Sequence, residues 1–369
     1  MNAPMSPPAT AGDEHLDVNP MGLNGFEFCE FTSPDPATLE RQFEALGFTA
    51  VKRHPVNDVV LYRQGRTHLL VNRMGEGSHA AAFRAEHGPS ASAMAFRVSD
   101  AKAAFDNAVA RGATPADAGL GALGPDAYVL EGIGGSLLYL VDRHGAAGSL
   151  YDDWTDIPGA AEAEAANSVG LDILDHLTHN VRRGQMRVWS EFYGRIFGFE
   201  EQKYFDIKGK ATGLFSQAMI APDRAIRIPL NESQDDKSQI EEFIRDYKGE
   251  GIQHLAMTTD NIYDTVEKLR ARGVRLQDTI ETYYELVDKR VPGHGEDLDR
   301  LKRNRILIDG DVGEEGILLQ IFTETMVGPI FFEIIQRKGN EGFGNGNFQA
   351  LYESIELDQI RRGVITVDE

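Results

Sequence analysis

Three short stretches of the sequence carry a metal-binding side chain within a β-strand pattern that is otherwise apolar. They read ILDHLTHN with His176, GIQHLAM with His254 and PIFFEIIQR with Glu333. A buried carboxylate without a partner costs several kcal/mol, so Glu333 must be neutralised or paired. Arg337, on the same stretch, lies roughly 13 Å away along an extended strand and cannot be the local partner. A metal ion bound by all three side chains satisfies this requirement.

The two histidines occupy equivalent places in a repeated pattern. Each lies on the first strand of its unit, shortly before a helix that ends at Gly198 or Gly273. First strands of repeated units come together in space, so both imidazoles can converge on one point. Two histidines and one carboxylate leave three positions open on an octahedral metal, which is the facial arrangement of non-haem Fe(II) oxygenases.

Structural explanations also exist for each residue taken alone. A single buried histidine is usually a hydrogen-bonded core residue, and Glu333 alone could be a half-exposed strand residue. Their joint placement favours a metal site. His179 follows the first histidine by three residues, so it faces the other side of the strand and is interpreted as structural. In the N-terminal half, Ala93 or Met94 falls opposite His254, which predicts that this half has no metal site.

The elements that must position these residues alternate between short strands and amphipathic helices. Apolar spacing, capping residues and terminal glycines predict four helices. These helices run from Asp35 to Gly47, from about Asp100 to Gly112, from about Met186 to Gly198 and from about Asp260 to Gly273. Strand patterns such as SLLYLVDR and GILLQIFTE follow them. Four β-α-β units indicate an α+β architecture with internal duplication.

Composition limits the expected partners and compartment. The 369 residues suggest about two domains. A formal net charge of -21 disfavours nucleic acid and anionic membrane as partners. Cys29 is the single cysteine, so an internal disulfide is impossible and a reducing compartment is expected. The sequence shows no signal-peptide pattern and no apolar run of the roughly 18 residues that cross a bilayer, which predicts a cytoplasmic protein.

Several motifs together resemble one enzyme family. DHLTHNV, GIQHLAM, LLQIFTE, FFEIIQRKG and GFGNGNFQALYESIE are similar to the 4-hydroxyphenylpyruvate dioxygenases, most densely over residues 170–363. The resemblance implies the vicinal-oxygen-chelate (glyoxalase-like) fold: two tandem domains of duplicated βαβββ units that form open barrels. The expected division is a mobile tail at 1–20, a non-catalytic barrel domain at 21–150, a linker at 151–169 and a catalytic, iron-binding barrel domain at 170–369.

The resemblance also implies roles for individual residues. The expected iron ligands are His176, His254 and Glu333; the expected substrate contacts are Ser216, Asn231, Phe343 and Phe348; and the expected catalytic glutamines are Gln239, Gln253 and Gln320. On an ideal strand, Gln253 alternates away from the neighbouring histidine. Phe348 could instead anchor the C-terminal helix, which is expected from about Asn347 to Arg362 and to close over the pocket.

The implied reaction is the conversion of 4-hydroxyphenylpyruvate and O2 to homogentisate and CO2, as in tyrosine and phenylalanine catabolism. It requires one Fe(II) per subunit, and O2 is a co-substrate. The substrate supplies its own 2-oxo acid, so no external 2-oxoglutarate is needed. The expected partners are this small 2-oxo acid and further copies of the chain, as a dimer or tetramer.

Three alternatives remain open. A 4-hydroxymandelate synthase would share the substrate and the metal ligands but hydroxylate the benzylic carbon, and Phe348 favours the dioxygenase. A metal-free binding protein on the same fold is disfavoured by the intact set of three ligands. A zinc or nickel lyase on this fold is disfavoured because such sites usually carry a fourth protein ligand.

Overall fold

Two sheets, one from each half of the chain, form the framework of the protein. The computed structural model describes residues 19–208, 213–347 and 350. The N-terminal sheet contains β1 (Phe26–Thr32), β2 (Thr49–Arg53), β3 (Val59–Gln64), β4 (Thr67–Asn72), β5 (Ser90–Arg97), β6 (Tyr128–Glu131), β7 (Leu137–Val141) and β8 (Thr155–Asp156). The C-terminal sheet contains β9 (Leu171–Val181), β10 (Glu200–Lys208), β11 (Gly213–Ile220), β12 (Arg227–Ser233), β13 (Gly251–Thr259), β14 (Leu307–Asp311), β15 (Gly316–Phe322) and β16 (Phe331–Lys338).

Ten α-helices are present among the described residues. They are α1 (Pro36–Ala45), α2 (His79–His87), α3 (Ala101–Ala110), α4 (Ala160–Asn167), α5 (Met186–Phe197), α6 (Gln239–Tyr247), α7 (Ile262–Ala271), α8 (Glu281–Glu285), α9 (Val287–Arg290) and α10 (Leu298–Asn304). In this part of the chain, no helix combines the length and the apolarity that a membrane span requires.

Strand order shows that each half is internally duplicated. The orders are β6-β7-β5-β1-β4-β3-β2-β8 and β10-β11-β12-β9-β13-β16-β15-β14. In each sheet the first strands of the two units are antiparallel neighbours, β1 with β5 and β9 with β13. Each of these strands also has a parallel neighbour from its own unit. This arrangement confirms the α+β, tandem vicinal-oxygen-chelate fold, although the second N-terminal unit has two described strands after its helix instead of three.

Local signals explain the helices that the sequence predicted. α1 begins after Asp35, whose carboxylate accepts a hydrogen bond from the backbone N–H of Thr38 at 3.2 Å, and Pro36 occupies its first position. Its buried face carries Leu39 and Phe43, four residues apart. α5 ends at Gly198, which adopts a left-handed conformation with φ of 77°. All four predicted helices are confirmed within two residues at each end.

The interval that the sequence assigns to a linker, 151–169, is ordered where it meets the N-terminal sheet. Tyr151 and Trp154 are buried in the same cluster as Phe28 and Tyr139 on one face of that sheet. Strand β8 then pairs with β2. The domain boundaries stay a prediction, and the predicted tail at 1–20 and the C-terminal helix lie almost entirely outside the described residues.

The two halves pack against each other behind the C-terminal sheet. Phe332 of β16 is fully buried and lies 6.2 Å from the Phe31 ring and 6.3 Å from the Phe43 ring, both in the N-terminal half. His87 adds a polar contact, because its Nδ1–H donates to the Tyr247 carbonyl at 2.6 Å. The alternate residues of β16 therefore serve two purposes: one face holds the halves together, and the other face is free for chemistry.

An acidic side chain is buried in the N-terminal sheet. Oε1 of Glu30 accepts hydrogen bonds from Asn72 Nδ2 at 3.0 Å and from Ser92 Oγ at 2.8 Å. Its other oxygen has no partner among the described residues. Burial raises the pKa of Glu30 to about 7, against the opposing effect of these two hydrogen bonds.

Glu30 therefore predicts a pH dependence of stability. The native state holds a proton that the unfolded chain, with an ordinary pKa of 4.5, releases at lower pH. The free energy of unfolding thus falls as pH rises from about 4.5 to about 7, by up to roughly 3 kcal/mol. Urea unfolding of the wild type and Glu30→Gln across this interval measures the effect, because glutamine keeps the shape without titrating. A difference between the two proteins that stays constant with pH would contradict it.

Candidate metal centre

Strands β9, β13 and β16 lie side by side and bring together the three predicted ligands. The Nε2 atoms of His176 and His254 lie 3.1 Å and 3.5 Å from the same carboxylate oxygen, Oε2 of Glu333. All three side chains are buried, and their ligand atoms lie within 4.8 Å of one another. Ligand atoms about 2.1 Å from one ion and at right angles to each other are about 3 Å apart. The observed spacing fits one shared cation.

Hydrogen bonds orient both imidazole rings for metal binding. His176 Nδ1–H donates to Oδ2 of Asp175 at 2.8 Å, and His254 Nδ1–H donates to Oε1 of Gln253 at 2.9 Å. With each proton held on Nδ1, the lone pair of each Nε2 points towards Glu333. Metal-binding histidines usually have such a partner on their second nitrogen. The donor set therefore fits a bound divalent cation.

Two β-bulges place these partners. On β9, pairing with β13 runs from Leu174 to His176 and passes over Asp175. On β13, the pairing passes over Gln253 in the same way. A bulge puts two successive side chains on one side of a strand, so each partner lies beside its histidine. The expectation that Gln253 alternates away from His254 is wrong for this reason.

The three side chains shift one another's pKa values. Burial raises the pKa of Glu333, but hydrogen bonds from His176 and His254 outweigh burial and hold that pKa at about 2. Burial lowers the pKa of His176, whereas Asp175 and Glu333 raise it more strongly. For His254, the lowering by burial prevails. The raised pKa of His176 means that protons compete with a cation for its Nε2, so metal binding should weaken as the pH falls.

Only some of the other residues predicted for the site lie near the three predicted ligands. The Phe343 ring lies 5.3 Å from the His176 ring. Gln320 on β15 is buried, its Oε1 has no partner among the described residues, and it lies directly beside Gly344. Gln239 is the first residue of α6 and is exposed, so the structure does not bring it to the three ligands. Phe348 lies outside the described residues.

A row of polar residues crosses the neighbouring strands. Ser216 on β11 pairs with Asn231 on β12, and Asn231 pairs with Asn180 on β9. Asn180 is four residues after His176, so the two face the same side of β9. Asn180 is fully buried, and both polar atoms of its amide lack a partner among the described residues.

Sequence reasoning missed two of these residues. Asn180 had a usable signal, because it continues the alternation from His176 by two steps and is polar. The sequence carries no such signal for Asp175, because the burial of its side chain depends on the bulge in β9 and on β13, which is distant in the chain. His179 lies on the opposite face, as alternation predicted, and its Nε2 contacts the Tyr193 hydroxyl at 2.8 Å.

The N-terminal sheet repeats the strand arrangement of this site without its ligands. Pairing from β9 across β13 to β16 aligns His176 with Glu333. The same path from β1 across β5 to β7 aligns Phe28 with Tyr139, whose rings are 5.5 Å apart. Ala93 takes the place of the second histidine. Phe28, Ala93 and Tyr139 thus stand at the positions equivalent to the three predicted ligands, and the absence of a metal site in this half stays a prediction.

Comparison with known proteins agrees with this architecture. Residues 18–155 match the family "Hydroxyphenylpyruvate dioxygenase, HPPD, N-terminal", and residues 173–286 match the "Glyoxalase/Bleomycin resistance protein/Dioxygenase superfamily". A 4-hydroxyphenylpyruvate dioxygenase of Pseudomonas aeruginosa is 58% identical over 353 residues, which cover 94% of this chain and 97% of that protein. A Vibrio vulnificus protein named Hemolysin VllY is 55% identical over 352 residues, covering 94% and 98%.

A solved structure shows the same fold. A mutant of 4-hydroxymandelate synthase from Streptomyces coelicolor superposes with a TM-score of 0.76 at 26% identity, and the match covers 92% of this chain and 100% of that chain. Fold and site together define a metal-dependent dioxygenase on a tandem vicinal-oxygen-chelate framework. The chain belongs to the 4-hydroxyphenylpyruvate dioxygenase family, and it is an enzyme with dioxygenase activity.

Proposed function

We propose that the chain binds one ferrous ion through His176, His254 and Glu333 and converts 4-hydroxyphenylpyruvate and O2 to homogentisate and CO2. One observation carries this proposal: two imidazole nitrogens and one carboxylate oxygen meet in a buried site, and the remaining imidazole nitrogens are already hydrogen-bonded. Three protein ligands leave room for a chelating 2-oxo acid and O2. The similarity to the Pseudomonas aeruginosa dioxygenase supports the choice of substrate.

The residues of the site would bind the ion and exclude water. A ferrous ion held there would supply the redox chemistry that activates O2 and the positive charge that binds a 2-oxo acid. Glu333 contributes one negative charge and the two neutral histidines none, so the bound ion keeps a net positive charge for the anionic substrate. Two nitrogens, one carboxylate oxygen and no sulfur favour iron over a structural zinc site.

The remaining side chains would position the aromatic ring of the substrate. Phe343, next to His176, offers an aromatic face close to the metal. The polar row of Ser216, Asn231 and Asn180 offers hydrogen bonds to the ring hydroxyl. Gln253 would act by orienting His254, and Gln320 offers an unpaired amide oxygen in a buried position.

Product analysis tests this function. Protein reconstituted anaerobically with ferrous ion is given 4-hydroxyphenylpyruvate and air, and O2 uptake, CO2 and the aromatic product are measured. We expect homogentisate, with one O2 consumed per CO2 released. Formation of 4-hydroxymandelate would identify the synthase reaction instead. Bound iron without any O2 uptake would indicate a ligand-binding protein.

We expect Asn180 to bind the ring hydroxyl of 4-hydroxyphenylpyruvate. Asn180→Ala removes a buried hydrogen-bonding partner, so the KM for 4-hydroxyphenylpyruvate should rise by up to about tenfold. The KM for phenylpyruvate, which lacks the ring hydroxyl, should stay within about twofold. Steady-state O2 uptake with both substrates measures the difference.

Asn304 provides the matched control for that measurement. It is also a buried asparagine, but its amide donates to Glu267 on the helical side of the sheet, at 2.9 Å. Asn304→Ala should destabilise the protein without changing the ratio of the two KM values. Equal effects of Asn180→Ala on both substrates would contradict the proposed hydroxyl contact.

A further inference from the structure

Arg337 is a partly buried arginine that joins two parts of the site through a single guanidinium. Its Nε and Nη2 donate to the two carboxylate oxygens of Asp175 at 2.8 Å and 2.7 Å. Its Nη1 donates to the carbonyl oxygens of Asn340 and Gly342 at 2.9 Å and 2.7 Å. These four hydrogen bonds use the fork-like geometry of a guanidinium, which a lysine cannot reproduce.

One end of this connection is a metal ligand. The oxygen of Asp175 that accepts from Arg337 Nη2 also accepts from Nδ1–H of His176 at 2.8 Å. Asp175 is the bulge residue of β9, so its backbone offers no ladder pairing to hold it in place. The guanidinium therefore determines where this carboxylate lies, and the carboxylate determines the direction of His176 Nε2.

The other end is the loop that carries Phe343. This loop leaves β16 through Gly339, which adopts a left-handed conformation with φ of 93°. Arg337 binds two carbonyls of the loop immediately before Phe343. Its guanidinium lies 5.9 Å from the centre of the Phe343 ring, which in turn contacts the His176 ring. Arg337 thus positions both the Phe343 ring and the predicted metal ligand His176.

We infer that Arg337 is a positioning residue that couples the orientation of His176 to the placement of Phe343. The inference rests on the proposed metal site and adds a function to it: the metal affinity and the fit of the substrate ring depend on one guanidinium. Arg227 is a second cation beside the Asp175 carboxylate, since its Nη1 lies 3.6 Å from Asp175 Oδ1. Arg227 also pairs with Glu341. The carboxylate is therefore held between two cations.

Arg337→Lys tests the coupling because it keeps the charge and loses the fork. Anaerobic titration with Co(II), followed by calorimetry and by visible d–d absorption, should show the Kd rising about tenfold or more and a changed absorption spectrum. With saturating ferrous ion, the KM for 4-hydroxyphenylpyruvate should also rise, by about fivefold or more. A purely structural role would change the melting temperature and leave all three readouts as in the wild type.

Arg63 supplies a matched control. It forms a bidentate pair with Glu164, at 2.8 Å and 2.7 Å, and neither residue contacts a predicted metal ligand. Arg63→Lys removes the same kind of fork, so it should leave the Co(II) Kd, the spectrum and the KM unchanged. A change in these values equal to that of Arg337→Lys would overturn the inference.

Asp175→Asn distinguishes the contact of Arg337 with Asp175 from its contact with the loop that carries Phe343. It weakens the contact to His176 and leaves the loop carbonyls bound to Arg337, so the Co(II) Kd should rise while the KM at saturating metal stays within about twofold of the wild type. Folding of each variant is checked by circular dichroism. Unchanged Co(II) affinity in both Arg337→Lys and Asp175→Asn would refute the inference, whereas failure of the wild type to bind Co(II) or ferrous ion would refute the proposed function.

Discussion

Glu333→Gln is expected to abolish turnover and to weaken ferrous-ion binding by more than the roughly 10–100-fold that loss of an outer partner causes. Glutamine has nearly the same shape, but it removes the one negative charge among the three ligands and leaves two neutral imidazoles. His254→Ala should act in the same direction, because it deletes a ligand atom that lies 3.5 Å from the Glu333 carboxylate. Metal analysis after anaerobic reconstitution, together with O2 uptake, measures both effects.

His179→Ala is the control for these variants. His179 is as buried as the ligands, but it faces the helices and contacts the Tyr193 hydroxyl. Burial lowers its pKa to about 3, so it is neutral in the folded protein and contributes no charge to the site. This variant should lose some stability and retain bound iron. Comparable loss of iron in His179→Ala and His254→Ala would show that the ligand assignment is wrong.

Phe332→Ala should reduce the free energy of unfolding by about 3–5 kcal/mol. The ring is fully buried and packs against Phe31 and Phe43 from the other half of the chain. Removing it leaves a cavity between the two halves. Urea unfolding, monitored by circular dichroism, measures the loss.

Phe105→Ala is the appropriate comparison for that experiment. Phe105 is half-buried on α3 and contacts only the Tyr128 ring among the described aromatic rings, at 5.6 Å within the N-terminal half. Its removal should cost less than half as much. If the two variants lose equal stability, Phe332 does not hold the halves together in the way the structure indicates.

Much of the architecture could be predicted because the relevant signals are local. Asp35, Pro36 and the spacing of Leu39 and Phe43 determine where α1 begins and which face it buries. The convergence of His176, His254 and Glu333 was predictable for a different reason. Each is a polar residue in an apolar strand, and the repeated pattern indicates which strands are equivalent.

The surroundings of the ligands could not be predicted from local patterns. Whether Asp175 and Gln253 face their histidines depends on bulges, and a bulge exists only in relation to the strand paired with it. The pairing of Asp175 with Arg337 joins residues 162 positions apart. No local periodicity encodes such a contact, so alternation placed Gln253 on the wrong side of its strand.

The two faces of β16 also constrain how this protein can change over generations. Glu333 points to the candidate metal site, and its neighbour Phe332 points to the other half of the molecule. Inserting or deleting one residue at the start of the strand would exchange the two roles unless a bulge absorbed the change, because side chains alternate along a regular strand. One such mutation would then remove both the Glu333 carboxylate from the metal site and the Phe332 ring from the contact between the halves. Lineages descended from this gene must therefore preserve the strand register of β16.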